Sequence, residues 1–136
     1  MKLIFEASLG TDAWFLINPI KLVTFKRTKT NILDDIKNKL IENNPKFPEL
    51  KDVYLEINGY DENEDKKVDH VNMIICLPNL EYEIDLSNFG NQITKRFVET
   101  INIRIEKHIV NKYKSLLETL DINDYEVWID DWRLEL

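Results

Sequence analysis

The stretch from Asn91 to Leu120 constrains this chain more than any other. It holds neither Gly nor Pro, and Ile93, Phe97, Ile101, Ile105, Ile109, Tyr113 and Leu117 recur at every fourth position, with Val98, Leu116 and Leu120 widening the stripe. That spacing predicts an amphipathic helix. At about 1.5 Å per residue it would run roughly 45 Å, whereas a compact domain of this length is under roughly 40 Å across. A helix of that length becomes the scaffold on which the remaining segments must pack.

The chain has 136 residues, 43% hydrophobic and 32% charged, which fits one soluble globular domain over residues 1–136. The lone Cys76 lies in the apolar run Met73–Leu77, so no intrachain disulfide forms and a reducing, cytoplasmic setting is expected. No apolar run approaches the ~18 residues of a membrane span. The formal charge of −7 argues against direct nucleic-acid binding, where Lys and Arg must neutralise phosphates. The distribution says more. Lys95, Arg96, Arg104, Lys107, Lys112 and Lys114 make the long helix basic, whereas Glu118, Asp121, Asp124, Glu126, Asp130, Asp131 and Glu135 are met by Arg133 alone.

Along the chain, Lys2–Ala7 reads as a strand, Leu9–Asp12 as a turn, Ala13–Asn18 as a second strand covered on both faces and ended by Pro19, with a short helix capped by Asp12 as the alternative, and Lys21–Arg27 as a third strand. Asn31–Asn43 reads as a helix capped by Thr30 or Asn31, with Asp34 and Asp35 in its first turn and Leu33, Ile36 and Leu40 buried. Pro45 and Pro48 follow it. Val53–Asn58, Val68–Leu77 and Leu80–Leu86 are further strands, the last two joined as a hairpin at Pro78 and Asn79. Leu80, Tyr82, Ile84 and Leu86 alternate with Glu81, Glu83 and Asp85, a period of two with one face buried. Ser87 can cap the long helix, and Gly90 marks an irregularity near its start. The final strand, Tyr125–Leu136, changes phase: Tyr125, Val127 and Ile129 share one face, and Trp132, Leu134 and Leu136 the other. A β-bulge at Asp130 and Asp131 would merge these into one buried face and leave Trp128 outside. The order β-β-β-α-β-β-β-α-β implies an α+β fold, an antiparallel sheet packed against one long and one shorter helix.

Catalytic and metal motifs are sparse. Asp61, Asn63, Asp65 and Asp69 resemble the first half of a calcium loop, but Lys66 stands where the turn Gly belongs and Asn72 where the bidentate acid belongs, which favours a solvated hairpin loop. His70 and His108 have no nucleophile beside them in any local motif. One Cys and two distant His make no zinc pattern. No Gly-rich nucleotide loop occurs, and no cofactor is expected. Glu81, Glu83 and Asp85, or Asp130 with Asp131, could serve acid and base chemistry or hold Mg²⁺, though a solvated acidic surface is the simpler reading.

An aromatic set among acids remains. Tyr125, Glu126, Trp128, Asp130, Asp131 and Glu135, with Trp132 nearby, combine hot-spot residue types with a field that attracts a basic partner. The competing reading makes both tryptophans core and the acids a solubilising surface. In size, acidity and lack of catalytic groups the chain is similar, as a class, to small neutralising proteins such as bacterial toxin immunity proteins and phage-encoded inhibitors of defence nucleases. The leading expectation is therefore a noncatalytic protein that occludes a basic surface on a protein partner, of the nuclease or toxin kind. The alternatives are a small enzyme with a carboxylate-based, metal-assisted site, and a subunit of a larger assembly or homodimer joined through Val98 and Leu116 of the long helix.

Overall fold

A computed structural model describes residues 1–88 and 95–135. Its strands are β1 (Lys2–Lys21), β2 (Tyr54–Glu62), β3 (Lys67–Cys76), β4 (Leu80–Asp85) and β5 (Glu126–Glu135). Its helices are α1 (Leu22–Arg27), α2 (Lys29–Asn43) and α3 (Lys95–Thr119). The class is α+β, with strand order β2-β3-β1-β4 and β5 also pairing β1. Two compact units divide the chain, one of Met1–Leu9 with Asn79–Leu136 and the other of Gly10–Pro78.

The expected three-strand meander at the N-terminus is instead one strand followed by a helix. Gly10 does not turn; it lies opposite Cys76, and the ladder with β3 continues from there to Lys21. Pro19 falls where the register shifts between Leu16 and Ile20. A bulge is where a strand tolerates a residue without an amide proton. Leu22–Arg27, expected as a strand with Val23 and Phe25 on one side, is helical. Phe25 is fully buried while Val23 is exposed. Two residues apart on a helix means about 200° of rotation, so only one of the pair can face inward.

In the Gly10–Pro78 unit, α2 buries Ile36 and Leu40, as its periodicity implied, with Leu33 half-buried. It starts earlier than its capping residues suggested. Thr28 precedes it without capping it, its hydroxyl donating instead to the Thr24 carbonyl at 2.8 Å. Asp34 and Asp35 are therefore past the first turn. The far end is closed by the buried Asn44, whose side-chain amide donates to the Leu40 carbonyl at 2.8 Å. β2 and β3 form an antiparallel hairpin, and Val68, Val71, Met73 and Ile75 of β3 are core.

In the other unit, β4 pairs antiparallel with β1, from Lys2 opposite Asp85 to Ala7 opposite Leu80. The expected β3–β4 hairpin is absent because both strands take β1 as their partner: Cys76 faces Gly10 and Leu80 faces Ala7. Period two names the face of a strand, not its neighbour. That face is as expected, with Ile84 buried, Leu80 and Tyr82 half-buried, and Glu81, Glu83 and Asp85 exposed. The Tyr82 ring lies 5.0 Å from the His108 ring of α3, so this side of β4 meets the long helix.

Helix α3 buries Ile101, Ile105, Ile109, Tyr113, Leu116 and Leu117. The four-residue stripe is the packing face, and Arg104, Lys107, Lys112 and Lys114 are exposed. Leu116 is buried, so it is not left over for an oligomer contact. The expected start at Asn91–Thr94 and the irregularity at Gly90 lie outside the described residues, as does the Val98 side chain. At its end Asp121 adopts φ 54°. The Ile122 amide bonds the Leu117 carbonyl at 2.9 Å and the Asp121 amide the Glu118 carbonyl at 3.1 Å. These two bonds define a Schellman cap, and Ile122 and Leu117, the positions of its usual apolar pair, are both buried. The cap stops the helix and delivers the chain to β5.

Candidate binding surface on the last strand

β5 departs from the ordinary strand. Val127 is half-buried, and every residue from Trp128 to Glu135 is exposed. Trp128 retains 43% of its accessible surface, Trp132 61% and Leu134 52%. The expectation that Trp132 and Leu134 share a buried face with Tyr125, Val127 and Ile129 is overturned, since Ile129 is exposed as well; Leu136 lies outside the described residues. Of the residues expected to form a partner site, Glu126, Trp128, Asp130, Asp131 and Glu135 lie exposed along β5, and Tyr125 is half-buried just before it. The alternation of the strand sets Glu126, Trp128 and Asp130 in one row with Trp132 and Leu134, and puts Asp131 and Glu135 on the opposite face with Ile129. The signal for Trp132 was available in the unshifted alternation Trp128, Asp130, Trp132, Leu134, which the postulated bulge obscured.

Arg133 explains how the row is held. Glu6 and Glu81 stand directly opposite each other in the β1–β4 ladder, a like-charge pairing that destabilises a sheet. The Arg133 guanidinium answers it, with Nη2 3.1 Å from Glu81 Oε1 and Nη1 3.7 Å from Glu6 Oε1. The hydrogen bond to Glu81 and the surrounding carboxylates, Glu135 among them, raise its pKa above the ordinary arginine value. Adjacent strand residues point to opposite faces, so with Arg133 turned to Glu6 and Glu81, Trp132 and Leu134 project from the other side. The one base of the segment is thereby engaged away from them. The Trp132 amide donates to the Asp131 carboxylate at 2.8 Å, which fixes that side chain against the backbone.

The side chains of the other sequence motifs have partners within the fold. The Asn63 carboxamide oxygen accepts from the Asp65 and Lys67 amides, each at 3.0 Å, and Lys66 takes the left-handed conformation at φ 60°. This side chain shapes the β2–β3 turn. Among the described residues, no group of three or more His, Cys, Asp or Glu is placed to hold a metal ion. His70 Nδ1 lies 2.8 Å from the neighbouring Asp69 carboxylate, and across the ladders it faces Leu16 and Asp61, neither of them a serine or cysteine. Asp85 accepts from the Ser87 amide at 2.9 Å, and that bond holds its carboxyl below the usual range. A general acid needs the opposite shift. Ser87 therefore closes a turn at the end of β4.

No helix among the described residues is long and apolar enough to cross a membrane. Comparison of the chain with protein-family models, with curated proteins and with solved structures finds no match.

Proposed function

We propose that this protein is a noncatalytic binding protein that covers a basic surface on a protein partner, of the toxin or nuclease kind, with strand β5. The observation that carries the reading is the exposure of Trp128 and Trp132 among Glu126, Asp130, Asp131 and Glu135. Tryptophan is the residue type most enriched at binding hot spots, and burying such a side chain at an interface supplies affinity. The carboxylates raise the encounter rate with a cationic surface and repel acidic ones, so they act on speed and selectivity more than on the final affinity. A nuclease fits the partner class because its own substrate-binding face is cationic. Occluding such a face blocks it without any chemistry on the inhibitor's side.

The test is affinity capture from the native host, with proteins identified by mass spectrometry, in parallel for the wild-type chain and the Trp128→Ala/Trp132→Ala double variant. A basic protein retained by the wild type, lost from the variant and released by raised salt is the expected result. Equal retention by both chains would remove β5 as the site.

A further inference from the structure

We infer that β5 takes its partner by strand addition: an extended basic segment pairs with the outer edge of β5 and extends the sheet by one strand. The inference rests on the reading of β5 as the partner site and specifies how that site is used.

Four observations support it. Among the described residues β5 pairs with β1 alone, so one line of its backbone donors and acceptors faces outward. β5 is ten residues long, enough for several ladder bonds, whereas β4 has six. The other terminal strand of the order, β2, is broken by register shifts between Ile57 and Gly59 and between Asp61 and Glu62, and bulges of this kind blunt an edge against pairing. Finally, the side chains of β5 are exposed on both faces from Trp128 onward, so an added strand would meet Trp128, Trp132 and Leu134 on one side.

The charge decides which strand is accepted. Exposed edges are commonly protected by charged residues, which make pairing with a neutral or like-charged strand unfavourable. On β5 the protecting charges are Glu126, Asp130, Asp131 and Glu135, with the single base Arg133 engaged by Glu6 and Glu81. The same groups that reject a second acidic edge attract a strand bearing Lys or Arg at alternate positions. In strand addition the main-chain bonds supply affinity, and the side chains at alternate positions supply selectivity. A basic residue cross-strand from Asp131 or Glu135 gains a favourable pair, and the apolar residues between then lie on the face of Trp128 and Trp132 and cover indole.

The experiment uses the full chain carrying Trp14→Phe, so that fluorescence reports mainly Trp128 and Trp132. The probes are a short acetylated peptide alternating lysine and valine, the same peptide N-methylated at every second residue, and a glutamate–valine analogue. The lysine peptide is expected to bind and to slow hydrogen exchange at amides between Trp128 and Glu135. N-methylation, which keeps the charge and removes ladder donors, is expected to weaken binding at least about tenfold, and the glutamate peptide not to bind. Equal binding of the methylated and unmethylated lysine peptides would overturn strand addition while leaving the acidic, aromatic surface as the partner site. Absence of binding by the lysine peptide at millimolar concentration, or protection confined to other strands, would also overturn it, and the capture experiment above would then judge the site itself.

Discussion

Replacing Ile109 by Ala should cost far more than replacing Ile103 by Ala, although both are mid-helix isoleucines of α3. Ile109 is fully buried, and Ile103 keeps 54% of its surface in solvent. The substitution deletes three methyl or methylene groups. At about 0.8 kcal/mol for each buried group the transfer loss at Ile109 is ~2.4 kcal/mol. The cavity left by incomplete collapse raises the total to between about 2.5 and 5 kcal/mol. At Ile103 the deleted groups are largely in water, and alanine's higher helix propensity offsets the remainder, so the change stays within about 0.5 kcal/mol. Urea unfolding followed by circular dichroism measures both. With an m-value of about 2 kcal/mol/M, the Ile109→Ala midpoint should fall by roughly 1.3–2.5 M and that of Ile103→Ala should barely move. Equal losses, or a larger loss at Ile103, would refute the assigned phase of the helix and with it the packing of that unit.

Asp121→Gly should stabilise the chain by roughly 0.5–1 kcal/mol, because Asp121 sits at φ 54° where a side chain is penalised and glycine is not; a lower melting temperature would show that the cap depends on the aspartate. Arg133→Met should lower the melting temperature by unmasking the Glu6–Glu81 opposition; the deficit should shrink in ~1 M salt, where charges are screened beyond about 3 Å, and a salt-independent loss would point to packing instead. The Asp85 carboxyl is held below its usual range chiefly by the Ser87 amide, so its contribution is present above the unfolded-state value and disappears as pH falls through the folded one. Wild type should therefore exceed Asp85→Ala in stability near neutrality and converge with it in acid; a gap that widens in acid would contradict the bond. The Trp128→Ala/Trp132→Ala variant should unfold within about 1 kcal/mol of wild type, since exposed sites contribute little to folding; a loss of 3–5 kcal/mol, the cost of emptying a core tryptophan site, would return both indoles to the interior.

How legible the fold was depended on redundancy. Helix α3 could be read because its stripe repeats many times, so one ambiguous residue does not change the phase. The alternation of β4 was equally clear for its faces, yet silent about its neighbour, and the hairpin expected with β3 does not form. The six residues of α1 satisfy period two by chance, and only the burial of Phe25 without Val23 separates helix from strand. The continuity of β1 is hidden for a different reason. Gly10 and Pro19 are local signals for breaks, but a strand paired along most of its length by β3 and β4 can absorb both, one opposite Cys76 and one at a bulge. Tertiary pairing overrode local propensity there, and no window of sequence contains the partner strand.

The surface of β5 shows the same limit from the functional side. Its acids and aromatics could be read from the residues, but the position of Trp132 depended on whether the alternation slips at Asp130, and a slip of one residue exchanges every face. Hydrophobic patterning assumes that apolar residues seek the core, and β5 violates it at Trp128, Ile129, Trp132 and Leu134 together. A bulge at Asp130 and Asp131 would remove the violation by merging the two apolar phases. Once Arg133 is seen to reach Glu6 and Glu81, its neighbours Trp132 and Leu134 must point the other way, and the violation becomes a property of the molecule. A run of exposed apolar side chains gains nothing for folding and exposes the chain to association. Its acidic surroundings limit which associations occur, and that selectivity is the physical argument for a basic partner.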